Sequence, residues 1–199
     1  MSIPQPSLFD APPPGLPEGL AYRPDFISPA EEAELIGRLE PLAFAPFQFH
    51  GFEGNRRVVS FGARYDYNEG GLKQAAPLPD WLRPLAARAA AFTGVAPDAI
   101  AHALLTEYSP GAGIGWHRDR PQFEDVVGVS FLSPCRFRFR LRQAGGWKRA
   151  AFTAEPRSAY LLSGPSRREW EHSIPPLQTL RYSITFRTFR PGVQAPTAG

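Results

Sequence analysis

The sequence predicts an α+β fold in which two helices near the N-terminus support an antiparallel sandwich or barrel. Three observations lead there. Helical periodicity marks residues 28–42 and 80–94. From residue 101 onward the chain reads as short strands divided by Gly and Pro turns. A hydrophobic share of 43% over 199 residues is ample for one buried core, and no internal repeat is visible.

The elements follow in order. Residues 1–19 carry Pro4, Pro6, Pro12, Pro13, Pro14 and Pro17, which exclude helix and central strand and make an extended tail. The domain is expected over 20–192, with a flexible end at 193–199. Its first helix starts with Ser28 as N-cap, Pro29 at the first helical position and Glu31 as the reciprocal partner of a capping box. Leu35, Ile36, Leu39 and Leu42 then share one side. A second helix starts at Asp80, turns Leu82, Leu85, Ala86, Ala89 and Phe92 inward, and stops at Gly94. Strands are expected at Val58–Gly62, Ala101–Tyr108, Gly115–Asp119, Val126–Leu132, Arg136–Arg142, Ala159–Ser163 and Leu180–Thr188. Both helices read as supports for the core, so any site belongs to the strands.

Charge narrows the function classes. The net charge of +3 is modest, yet 20 of the 22 basic residues are Arg. Arginine suits bidentate recognition of carboxylate and phosphate, although a GC-rich genome yields the same bias. Residues 1–55 hold two Arg against eight acids, whereas 136–149 hold Arg136, Arg138, Arg140, Arg142, Lys148 and Arg149 with no acid. A single cysteine, Cys135, excludes an intramolecular disulfide and a thiolate-built zinc site. No apolar run approaches the roughly 20 residues of a membrane helix, and no secretory signal is apparent. The expectation is a cytoplasmic monomer that does not engage membranes.

Chemistry concentrates at three places. In His117-Arg118-Asp119 an imidazole and a carboxylate two residues apart on a strand would point to one face. Four His and seven Asp in the chain produce such a spacing by chance often enough that it needs partners. The last strand, Leu180-Arg181-Tyr182-Ser183-Ile184-Thr185-Phe186-Arg187, alternates strictly. Arg181, Ser183, Thr185 and Arg187 share one face, which must be solvated or bind an anion, because burying it unpaired is costly. His172 supplies a third ligand candidate. Two His and one carboxylate form a facial triad with open positions, the arrangement of non-haem Fe(II) oxygenases. An Arg beyond those positions could hold the distal carboxylate of an oxo acid.

These residues resemble the AlkB-like Fe(II)/2-oxoglutarate dioxygenases from about Phe47 to Phe189. The resemblance rests on Tyr108-Ser109-Pro110-Gly111, Ile114-Gly115-Trp116-His117-Arg118-Asp119, His172 and Arg181–Arg187, in that order. Asn55-Arg56-Arg57-Val58-Val59-Ser60-Phe61-Gly62 is similar to the family's substrate lid, a segment taken here as about 44–70. The resemblance implies a double-stranded β-helix (jelly roll) core with the helices outside. It implies Fe(II) held by His117, Asp119 and His172, and 2-oxoglutarate held by Arg181 and Tyr108, with Thr106 and Ser183 beside it and Arg187 near its keto-acid end. With O2 the cosubstrate would become succinate and CO2, and an N-methyl group would leave as formaldehyde. The implied substrate is an alkylated nucleic-acid base, contacted by Phe49, Phe52, Arg56, Arg57, Tyr65 and Arg138. In the tail, Gln5-Pro6-Ser7-Leu8-Phe9 resembles the peptide by which bacterial repair proteins grip the sliding clamp.

Departures keep other readings open. Thr106 and Ser183 stand where many members have Asn. Pro121 stands where base-repair members often have an acid two residues after the metal Asp, and its side chain makes no hydrogen bond. The alternatives are the same chemistry on a protein side chain or small metabolite, or a binding module with a vestigial triad. His50 reads as a polar loop residue, His102 as a core or rim histidine, and Trp116 as packing. The alternating Arg136–Arg142 strand fits either a phosphate-contacting stripe or a plain solvated face.

Overall fold

The computed structural model describes residues 15–49, 52–65 and 70–193, with side chains there except at 49, 52, 53, 64 and 65. In chain order the elements are β1 (Leu20–Arg23), α1 (Pro29–Leu39), β2 (Ala45–Phe49), β3 (Phe52–Tyr65), β4 (Leu72–Gln74), α2 (Arg83–Thr93), β5 (Ile100–Tyr108) and β6 (Ile114–His117). There follow β7 (Phe123–Phe131), β8 (Cys135–Gln143), β9 (Gly146–Ala154), β10 (Ala159–Leu162), α3 (Gly164–Arg168), β11 (Glu171–Ile174) and β12 (Arg181–Phe189).

The helices form where expected. Ser28 accepts from the Glu31 amide and Glu31 accepts from the Ser28 amide, closing the capping box. The α2 segment opens with a 3-10 turn at Asp80–Leu82, because Pro84 denies the first turn a donor, and ends at Gly94 in the left-handed region (φ 79°). Leu39, Leu82, Ala89 and Ala90 are fully buried in one cluster with Leu105, Val129, Ile184 and Phe186 of the sheet behind. A second tie joins α1 to the strands: Glu32 accepts from the Leu132 amide and pairs with Arg157. No helix among the described residues is long and apolar enough to cross a membrane.

Two sheets make the jelly roll. The larger runs β1-β10-β7-β12-β5-β3-β2, with β4 beside β3; the smaller runs β6-β11-β8-β9. Pairings among the described residues are antiparallel. Between the sheets lies a second core of Phe137, Phe139, Phe152, Tyr160, Leu162 and Trp170. The helices cover the outside of the large sheet, so β12, near its centre, is buried on both faces.

Several elements escaped the sequence pattern. β1, β2, β4, β9, β11 and α3 are additional, and β3 extends well beyond Val58–Gly62. The short strands β1, β2, β4 and β11 carry too few alternating residues to announce themselves, whereas β9 is long but its sequence, GWKRAAFTA, lacks a clear apolar alternation. The chain is also anchored before Leu20: Ser163 donates from its amide and Oγ to the Gly19 carbonyl, and the Ser166 amide donates to Glu18. The Gln5–Phe9 segment and residues 194–199 lie outside the described residues.

Candidate active site

His172 lies mid-strand in β11, in register with His117 of β6 on one side and Phe139 of β8 on the other. The two imidazoles meet edge to face with centroids 4.3 Å apart. Asp119 Oδ2 stands 3.6 Å from His172 Nε2. The expected strand through Asp119 is corrected here: β6 ends at His117, and the carboxylate comes from the loop beyond it. Strand parity therefore does not place Asp119.

Two buried arginines do. Arg187 of β12 donates to Asp119 Oδ1 from Nε (3.1 Å) and Nη2 (2.8 Å). Arg167 of α3 is 3% exposed and donates to the main-chain carbonyls of Asp119, Arg120 and Phe123, clamping the loop from behind. His102 is more than a bland core residue. Its Nδ1 accepts from Arg187 Nη1 at 3.2 Å while its ring stacks on Phe123. Arg187 thus bridges the Asp119 carboxylate and the His102 imidazole.

Electrostatics prepares these groups for a cation. Burial pushes the His172 imidazole down to about 3, helped by His117, so it stays neutral. Burial likewise lowers His117. Burial alone would raise the Asp119 carboxyl, but Arg187, with His172, His117 and Arg167, outweighs it and holds the group well below the usual carboxylate range. Neutral imidazoles and an ionised carboxylate are the protonation states that ligate a metal. His117 Nδ1 donates to the Gly115 carbonyl at 2.9 Å, which leaves Nε2 as the acceptor. Among the described residues no three His, Cys, Asp or Glu donors already converge on one point. The trio is adjacent and suitably charged but not drawn closed.

Above the trio opens a cavity of about 710 Å³. The polar face of β12 turns toward this interior: Arg181, Ser183, Thr185 and Arg187 are all buried, which excludes a solvated strand. Arg181, 0% exposed, spans Ser130 Oγ (Nη2, 2.9 Å) and the Tyr108 ring, 5.1 Å below its guanidinium. Among the described residues, its Nε and Nη1, and Nδ1 of His172, are buried without a hydrogen-bond partner. Buried donors are rarely left unsatisfied, so the residues present fit an anion at Arg181 as well as a cation at the trio. Thr106 pairs with Ser183 and Tyr108 with Arg181 across β5 and β12. Gly128 is required beneath them, since a Cβ there would sit 2.2 Å from the Tyr160 ring. Ser130, Tyr160 and Arg167 carried no sequence signal, because their roles depend on strand and helix neighbours far away in the chain.

The expected substrate contacts divide. Arg56 lines the cavity with its guanidinium 3.8 Å over Phe47, and Trp116, Arg118, Arg120 and Pro121 complete the rim. Arg57 is not brought there: adjacent residues on a strand face opposite ways, and it pairs with Glu107 and the Phe44 carbonyl. Arg138 also faces out of the cavity, donating to Ser173 Oγ. The side chains of Phe49, Phe52 and Tyr65 lie outside the described residues, as does His50.

Comparison with known proteins agrees with this architecture. The 2OG-Fe(II) oxygenase superfamily matches residues 19–187. An Arabidopsis thaliana protein named as an alkylated DNA repair protein ALKBH8 homolog is 29% identical over 181 residues, 79% of this chain and 51% of its own. A Danio rerio protein, a probable RNA/DNA demethylase ALKBH6, is 35% identical over 111 residues, 56% of this chain and 45% of its own. The chain spans about half the length of these curated relatives. In fold, OsALKBH1 superposes with a TM-score of 0.67 at 16% identity over 85% of this chain and 96% of that one. A Burkholderia pseudomallei 2OG-Fe(II) oxygenase-family structure gives 0.59 at 18% identity over 90% and 89%. The chain belongs to the 2OG-Fe(II) oxygenase superfamily, whose chemistry uses Fe(II), 2-oxoglutarate and O2, and it is AlkB-like within it.

Proposed function

We propose that this protein oxidatively removes alkyl groups from nucleic-acid bases. The observation that carries the reading is the neutral-His, ionised-Asp trio beneath a cavity with an arginine-lined rim, together with the buried Arg181, which stands over the cavity-lining Tyr108 with two donors unpartnered among the described residues. His117, Asp119 and His172 would hold Fe(II), and Arg181 would take the distal carboxylate of 2-oxoglutarate with Tyr108, Thr106 and Ser183 beside it. Bound there, iron and 2-oxoglutarate supply oxidation of a substrate C–H by O2, with succinate and CO2 as coproducts.

The chain's own groups supply orientation. Arg187 occupies Asp119 Oδ1 and leaves Oδ2 toward the imidazoles. The hydrogen bond to Gly115 fixes the His117 ring. The fully buried Arg181 provides charge without water, where a bidentate pair is strongest. At the rim, Phe47 and Trp116 offer aromatic surface to a base, and Arg56 and Arg118 offer cations to its phosphates. The relatives' printed roles in alkylated-DNA repair and RNA/DNA demethylation support this substrate class.

Methylated single-stranded DNA or RNA, incubated with Fe(II), ascorbate and 2-oxoglutarate, is expected to release formaldehyde in step with succinate. His117→Ala is expected to abolish both. Succinate formed without formaldehyde would transfer the reading to a protein side chain or small metabolite. Pro121, a cavity-lining residue unable to hydrogen-bond a base, favours that second reading.

A further inference from the structure

The outer face of the small sheet has a pattern that the cavity chemistry leaves unused. On β8, Phe137 and Phe139 are buried, so Arg138, Arg140 and Arg142 point outward. The β8–β9 register sets Arg149 opposite Arg140 and Trp147 opposite Arg142 on that same face. The side chains alternate across the sheet. Arg138 and Arg140 lie 5.1 and 4.6 Å over the Trp116 ring, and Arg140 and Arg142 lie 4.2 and 5.3 Å over that of Trp147. Glu171 neutralises Arg140. Arg142 and Arg149 are exposed, with no carboxylate partner among the described residues.

Arg149 stands opposite Arg140, whose charge Glu171 already balances, so Arg142 and Arg149 are the residues that leave net positive charge on the face for an anion to meet. The alternation of cation and flat ring also matches a polymer that alternates phosphate and base. An acidic peptide would supply the charges and leave the rings unused. The face is continuous with the cavity, because Trp116 belongs to both. From β6 to β9 it spans about 14 Å at ~4.8 Å per strand, room for about four nucleotides at ~3.4 Å each.

We propose that this face is a docking track for single-stranded nucleic acid flanking the base presented to the cavity. Arg138, Arg142 and Arg149 hold phosphates, and Trp116 and Trp147 stack bases. The proposal rests on the nucleic-acid reading of the cavity and extends it to the strand beyond the target.

Fluorescence anisotropy of the full chain with unmodified labelled 10-nucleotide DNA and RNA strands of one sequence tests it. The wild type is expected to bind, and the tighter of the two arms names the polymer. Arg142→Gln/Arg149→Gln should weaken binding about tenfold or more and reduce the salt slope by about 1.4, since each single-strand phosphate contact contributes ~0.7. Trp147→Leu should weaken binding about fivefold or more with the slope kept, as loss of one stack does. An unchanged thermal midpoint verifies folding of each variant. Wild-type affinity and slope in the double variant would overturn the track. So would no binding of either strand, or displacement by a polyglutamate peptide as effective as by unlabelled strand. The cavity reading is scored separately with the wild type on a methylated trinucleotide, too short to cross the face. Formaldehyde there with an unaffected double variant removes only the track; loss of strand affinity in the variant without formaldehyde removes only the catalytic reading.

Discussion

Two strands of this protein carry arginine on one alternating face, β8 at every alternate position from Arg136 to Arg142 and β12 at both ends of its polar face, Arg181 and Arg187, yet one set lies inside the molecule and the other faces outward. On β12, Arg181 and Arg187 flank Ser183 and Thr185, and all four are buried. On β8, Arg136 and Arg142 are exposed and Arg138 and Arg140 half-buried, opposite a buried phenylalanine face. The difference lies in the layers. β12 is hydrogen-bonded between β5 and β7, and helices cover its apolar face, so its polar face has only the interior to meet. β8 belongs to a sheet with one covered face, so its arginines reach water. Alternation decides which residues travel together; the number of covering layers decides whether they are a site or a surface.

That contrast fails if the two sets respond alike to substitution. The largest expected effect is at Arg187. Arg187→Met leaves Asp119 as an unpaired buried charge and should cost about 3–5 kcal/mol in urea unfolding, with loss of Fe(II) binding in titration. Arg181→Met comes next. It should raise the 2-oxoglutarate KM about 100-fold, the scale of losing a charge-assisted hydrogen-bonded pair, while Fe(II) affinity is kept. Loss of both together would mean that Arg181 serves the metal trio as well.

Acid gives a graded effect. Burial lowers the pKa of His102, His117 and His172, with Arg187 adding to the effect at His102. In the unfolded chain these imidazoles titrate near ~6.5. Below that pH the unfolded state takes up protons that the folded state refuses. Their stability contribution is therefore full above about pH 6.5 and declines as pH falls toward the folded values, by up to ~1.4 kcal/mol per unit for each histidine. Thermal unfolding of the metal-free protein at pH 7, 6 and 5 should show this slope, and His102→Asn should remove one histidine's share. The outer face should respond least. Arg140→Met breaks a partly exposed pair with Glu171 and should change stability by ~1 kcal/mol or less. Arg142→Gln should stay within ~0.5 kcal/mol. A large loss at Arg142 would make that face a structural element.

The legible part of the fold was local. Ser28, Pro29 and Glu31 announce the start of α1, Gly94 ends α2, and the strict alternation of β12 groups its four polar residues. The candidate ligands were legible through order and spacing, but their convergence was not. Asp119 lies off its expected strand, and His172 occupies a four-residue strand too short to show a pattern. Arg57 looked equivalent to Arg56 until β3 fixed which of the two faces the cavity. Arg167 and His102, which hold the Asp119 loop and Arg187, had no motif.

By itself the sequence determined the class of fold, the caps, the pairing of residues on strand faces and the set of groups able to take a metal and an oxo acid. These follow from backbone preferences and side-chain periodicity, which act over a few residues. Only the tertiary structure decided which face of each strand meets water, how Asp119 is held, and that Arg181 is buried with two donors unpartnered among the described residues. Burial and electrostatic coupling are properties of groups brought close from distant parts of the chain, and no local pattern encodes them.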